Sequence, residues 1–149
     1  MAEHPAVDVG LVAQRILEEA AFIFAEPAED DAPLESPTIN AQLDFRGPSN
    51  GRLLLRASPE FAVLLAANLL GVEPDEPDAL TRRQGAVGEI LNMIAGALME
   101  TLFGDEVTVH LGIPEIDAGL RPSATPAANR TVLLTEEEFP VEISLYWTA

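Results

Sequence analysis

Cysteine is absent from the 149 residues, which removes disulfides and thiolate metal sites and fits a reducing compartment. Basic side chains are scarce. Eight Lys and Arg stand against 25 Asp and Glu, for a formal net charge of −17. A surface of that sign repels phosphate backbones and anionic membranes, so neither nucleic acid nor a membrane is an expected partner; solubility accounts for most of the excess. No run of about 18 uncharged apolar residues occurs, so no transmembrane helix is expected. The N-terminal MAEHPAVDVG lacks the basic start and apolar run of a signal peptide. A cytoplasmic location is the expectation. The motifs G-x-x-x-x-G-K, G-x-G-x-x-G and G-x-S-x-G are also missing, which leaves nucleotide binding and serine hydrolysis without support. His4 and His110 are too few and too scattered for a metal site. Asp75, Glu76 and Asp78 lack the glycine and closing glutamate of a calcium loop and read as a solvated turn, so no metal is expected.

What the chain does hold is apolar: 48% of its residues, enough for one domain over 1–149 with a real core. VGLVAQRILEEAAFIFA, Val9 to Ala25, has helical spacing with Asp8 as its cap. The stretch 26–37 is an acidic, proline-rich loop. TINAQLDF (38–45) and GRLLLRA (from Gly51) alternate as two strands joined by RGPSNG, a hairpin. Ser58 caps a helix with Pro59 in its first turn, closed after Leu70 by Gly71. An acidic linker covers 72–77, and a long helix runs from about Asp78 to Phe103. Val107, Val109 and Leu111 alternate as a strand, 117–129 is a long loop, and TVLLTEE and VEISLYW are two closing strands. The fold class is α+β, a mixed or antiparallel sheet packed with long helices. A helix followed by strands recurs in both halves, which suggests an internal pseudo-two-fold duplication.

The long helix carries the informative stretch, GEILNMIAGAL, Gly88 to Leu98. At about 100° per residue, Val87, Ile90, Leu91, Ile94, Leu98, Thr101 and Leu102 form one core-facing stripe. Glu89 and Asn92 fall on the opposite side, with Gly85, Gly96 and Glu100 close by and Met93 at the border. Each glycine in a helix interior costs about 1 kcal/mol relative to alanine. Gly85 and Gly96 lie one turn before and one turn after the polar pair, and Gly88 lies on its flank. Bare backbone there lets another molecule come close, so the face reads as a docking surface with Met93 as a soft apolar contact.

AVGEILNMIAGALMETL with the following VTVHLGIPEI resembles the signature helix and strand of the CheC/CheX family of chemotaxis phosphatases, the CheX-like branch in particular. The matching residues are Glu89, Asn92, Gly96 and Pro114. Two departures stand out. Members often carry Asp or Ser where this chain has Gly85. The first helix has no second E-x-x-N, since Glu18 is followed at +3 by Ala21 and Glu19 by Phe22, so the resemblance implies one site per chain. It also implies a substrate, the phospho-aspartate of a CheY-like response-regulator receiver domain, with Mg2+ on the receiver and no cofactor of the chain's own. Asn92 would orient the attacking water and Glu89 would pair with a cation on the receiver. Gly85, Gly88, Met93 and Gly96 would form the contact surface. A homodimer is a further expectation, because the branch dimerises through sheet edges and VEISLYW is apolar enough to need an edge partner. Two other readings stand beside the phosphatase: a non-catalytic module that binds a signalling protein, and a structural dimer whose glycine-rich helix packs on its own copy.

Overall fold

Asp8 starts the first helix by accepting hydrogen bonds from the backbone N–H groups of Gly10 (2.9 Å) and Leu11 (3.2 Å). These facts come from a computed structural model that describes residues 4–29, 34–35, 37–116 and 126–148. Helix α1 (Val9–Ala21) ends at Phe22, which takes a left-handed φ of 54°. That is earlier than its spacing suggests. A short strand β1 (Ala25–Pro27) claims the next residues by pairing with Leu133–Thr135, so Glu26 and Pro27 belong to the sheet and not to a loop.

The central elements follow local signals closely. β2 (Ile39–Arg46) and β3 (Asn50–Ala57) form the expected antiparallel hairpin. α2 (Pro59–Leu70) starts where Ser58 Oγ accepts from the Phe61 N–H at 3.1 Å and stops at Gly71, φ 73°. α3 (Pro77–Phe103) follows, then β4 (His110–Leu111), β5 (Glu115–Ile116), β6 (Asn129–Thr135) and β7 (Pro140–Thr148). The expected strand through Val107 and Val109 is thus cut to two residues, with a second short strand after a break. Of the long loop expected over 117–129, residues 117–125 lie outside the described residues and Asn129 already belongs to β6.

All pairings in the sheet are antiparallel, in the order β1-β6-β7-β3-β2, with β4 and β5 both on the far side of β2. β7 therefore sits in the middle, paired along its length with β3 and β6. The apolar VEISLYW is satisfied within the chain, so it gives no reason for a dimer through that strand. Leu43, Leu53, Leu55, Ile143 and Leu145 point from the sheet into the core, which α1 and α3 cover.

The topology is two-fold about an axis between β3 and β7. α1 packs over β1, β6 and β7, and α3 packs over β5, β2 and β3; α2, packed along α3, has no counterpart among the described residues. Laying Val9–Ala21 on Val87–Met99 superposes the buried positions: Val9 on Val87, Gly10 on Gly88, Val12 on Ile90, Ala13 on Leu91, Leu17 on Ala95 and Ala21 on Met99. Both Val-Gly pairs serve one purpose. A Cβ on Gly10 would lie 2.7 Å from Thr131, and one on Gly88 would lie 2.8 Å from Ile116. The echo between the halves is a shared packing register.

The other face of the sheet holds a buried acid. Glu142, its side chain 4% exposed, accepts from Arg130 Nε at 2.9 Å and faces Arg56 Nη1 at 3.8 Å. Replacing it leaves two guanidinium groups with less water than they need. Glu142→Ala is expected to lower stability by about 2 to 3 kcal/mol, at or below the bottom of the roughly 3–5 kcal/mol for a broken buried pair, because Arg130 keeps some water. A urea titration should show the lower midpoint at an unchanged slope.

Candidate functional site

Helix α3 begins at Pro77, whose fixed φ and missing N–H suit a first turn, and ends before Gly104, φ 75°. By length and hydropathy it matches a membrane span. Its environment says otherwise, because Val87, Ile90, Leu91, Ile94 and Leu98 are at most 1% exposed against the sheet and α2. α3 is the core helix. Thr101, expected in that stripe, is exposed and bonds back to the Ala97 carbonyl at 3.0 Å, while its neighbours Leu102 and Phe103 still pack on the core.

The remaining wedge of α3 carries Gly85, Glu89, Asn92, Met93, Gly96 and Glu100, all exposed. On a 100° wheel it spans about 100°, bounded by buried Ala86 and Ala97 on one side and buried Gly88 and Met99 on the other. Glu89 and Asn92 are one turn apart, a spacing that brings Cβ atoms within about 6 Å. Neither makes a hydrogen bond or ion pair with any described residue. An acid and an amide thus stand free together, with donors and acceptors available to a visitor.

The glycines divide by role. At Gly85 and Gly96 an added Cβ would meet nothing within 4 Å, so no packing among the described residues asks for glycine there. Gly88 is different. It is buried, and its Cβ would meet Ile116 Cδ1 at 2.8 Å and Pro114 Cβ at 3.7 Å. Expected as part of the contact surface, Gly88 instead serves internal packing.

What packs on Gly88 is a tongue, residues 110–116, which sequence reading took for the end of one strand. It lies along β2 at both ends, Leu111 opposite Phe45 and Ile116 opposite Ala41. Between them the Gly112 N–H donates to the Asp44 carbonyl at 2.7 Å, and a Cβ on Gly112 would stand 3.0 Å from that oxygen. Gly112 and Pro114 flanking Ile113 were the local sign of this break. On the wheel Asn92 lies about 60° from Glu89 toward Gly88, and Met93 about 40° the other way. The tongue therefore walls the Asn92 flank, while Met93, 38% exposed, borders the Glu89 flank.

The pseudo-two-fold places Leu11 where Glu89 stands and Gln14 where Asn92 stands. These, and not Glu18 or Glu19, are the positions to inspect on α1. Leu11 is 64% exposed and carries no charge. Gln14 is occupied, its Nε2 donating to the Ala25 carbonyl at 2.8 Å. The α1 face lacks the acid and the free amide. Elsewhere, His4 stacks on Trp147 at 4.6 Å, His110 is exposed on β4, and no metal-binding cluster occurs among the described residues. A cleft of about 1150 Å3 between β1, β6 and the start of α2, and another of about 580 Å3 beside α2, include neither Glu89 nor Asn92. The pair stands on an open helix face suited to a protein partner more than to an enclosed small molecule.

Residues 39–136 match the family described as chemotaxis phosphatase CheX. No curated protein matches the chain. Among solved structures, the chemotaxis protein CheX from Desulfovibrio desulfuricans is similar at 18% identity and a TM-score of 0.74, covering 94% of this chain and 96% of that one. A putative chemotaxis protein from Desulfovibrio vulgaris Hildenborough is similar at 19% identity and a TM-score of 0.74, covering 98% and 100%. The CheX–CheY–BeF3–Mg2+ complex from Borrelia burgdorferi is similar at 15% identity and a TM-score of 0.69, covering 95% and 96%. At these identities the likeness is one of fold.

Proposed function

The chain belongs to the CheX family of chemotaxis phosphatases, and from that premise we propose that it docks on a phosphorylated, CheY-like receiver domain and hydrolyses its phospho-aspartate. The observation that carries this reading is the pair on the bare wedge: Glu89 and Asn92, exposed together and engaged with no described residue. The solved relative whose fold resembles this one in complex with CheY, BeF3 and Mg2+ supports a receiver as the partner class.

An acyl phosphate breaks when a water oxygen bonds to phosphorus in line with the departing carboxylate. The P–O bond to aspartate opens, the carboxylate is restored and inorganic phosphate leaves. Such a transfer asks a protein mainly for positioning and charge stabilisation. The receiver contributes its carboxylate and its own Mg2+; what it lacks is a group to hold the water. Asn92 accepts from that water through its carbonyl oxygen and donates through its amide, without changing charge. Glu89, one turn away, pairs with a cation on the receiver and fixes the docked geometry. A carboxylate beside the phosphoryl group is repelled, so Glu89 anchors and does not act as base. Each copy carries a complete pair, and the reaction needs no second copy.

Gly85, where the family resemblance leads to an expectation of Asp or Ser, favours a second reading: a receiver-binding module without hydrolysis. Phosphate release from receivers loaded with acetyl phosphate separates the two. The phosphatase reading expects wild type to accelerate release at catalytic concentrations, and Glu89→Ala to raise KM about tenfold with a smaller effect on kcat, the pattern of lost uniform binding. A wild type that binds loaded receivers and leaves their decay rate unchanged is a binding module.

A further inference from the structure

The pair on α3 is polar and the wedge around it holds one partly exposed apolar side chain, Met93, too little for the apolar anchor that stable protein contacts centre on. The tongue beside Asn92 supplies it. Ile113, at its tip, is 88% exposed, more than any other large apolar side chain in the described structure. Its backbone is nonetheless held. β4 and β5 pair with β2 on either side of the tip, Gly112 is bonded to Asp44, and Pro114 restricts Ile113 to extended backbone while resting on Gly88. An apolar side chain presented on a rigid turn loses little freedom when it is covered, which favours its use as an anchor.

We propose that Ile113, with Ile116 on the Asn92 flank and Met93 across the wedge, clamps the docked receiver through apolar contact and decides which receivers are accepted. This rests on the reading that the Glu89 face receives a phosphorylated receiver. The partner surface it fits is an apolar patch beside the phosphorylated aspartate, facing Ile113. The acid and amide then handle chemistry and register, and the tongue supplies affinity.

Phosphate release is measured over a range of receiver concentrations, using each receiver domain of the same genome loaded with acetyl phosphate. Binding is measured in parallel with the same receivers loaded with beryllofluoride. Ile113→Ser is expected to raise KM and Kd about tenfold, as truncation of an anchor does, with kcat unchanged, because the contact is equal in ground and transition states. Leu11→Ser, which removes another exposed apolar side chain but on α1, should change neither. An unchanged Kd in Ile113→Ser, or an equal loss in Leu11→Ser, overturns the clamp. If wild type binds without hydrolysing and Ile113→Ser weakens that binding, the clamp stands and the phosphatase reading alone falls. If wild type binds none of these receivers, both fall.

Discussion

Asn92→Ala is expected to lower kcat for receiver dephosphorylation by a hundredfold or more, roughly the cost of removing one preorganised polar group from a reaction centre. The magnitude follows from how little else the protein contributes. In the proposed mechanism the leaving carboxylate and the metal belong to the receiver, so positioning the water would carry most of the added rate. KM should change much less, because the apolar tongue and Glu89 are untouched. Stability should stay within about 0.5 kcal/mol, since the side chain is exposed and bonds to no described residue. Stopped-flow phosphate release together with a thermal melt reads both quantities. Loss of activity with loss of folding points to a structural role; retained activity removes Asn92 from the chemistry.

The second large effect runs in opposite directions in two assays. Gly85 and Gly96 have open space where a Cβ would go, so Gly85→Ala and Gly96→Ala should each stabilise α3 by up to about 1 kcal/mol. In a domain of this size that raises Tm by roughly 2–4 °C. Gly96→Leu should keep most of that gain and place a bulky side chain within the docking wedge. Its KM for the phosphorylated receiver should rise tenfold or more, as expected when a close contact is obstructed. A more stable and less active protein is the trade-off expected where bare backbone is kept for a partner. If Gly96→Leu is stabilised and dephosphorylates normally, the wedge is not the docking face.

Local signals made some elements legible. α2 could be bounded to the residue because Ser58, Pro59 and Gly71 each impose a backbone state that needs no distant partner. The polar pair was legible for a related reason: a 3.6-residue period fixes which side of a long helix can be buried. Features set by distant pairing were not. β1 is three residues ending in proline, and it exists because Ala25 meets Thr135, far along the chain. β7 reads as an edge strand in sequence and lies at the centre of the sheet because β3 and β6 enclose it.

The site divides along the same line. The helical period puts Gly88 on the flank of the pair and Gly85 and Gly96 on its face, but it does not say that the flank is covered. Gly88 is covered by a tongue from another part of the chain, and the other two are open. The degenerate counterpart on α1 was missed because the halves share a burial register and almost no residues. Only the packing of Gly10 on Thr131 of β6 and of Gly88 on Ile116 of β5 aligns Leu11 with Glu89 and Gln14 with Asn92.

The most direct measurement is a crystal structure of this protein bound to a beryllofluoride-loaded, Mg2+-containing receiver whose phosphorylated form it recognises. The expected result puts α3 across the receiver's phosphorylation site, the Asn92 amide within hydrogen-bond distance of a water in line with the beryllium–aspartate bond, and the Glu89 carboxylate paired with a cation of the receiver. A receiver seated on any other face, with Glu89 and Asn92 still open to solvent, contradicts the account.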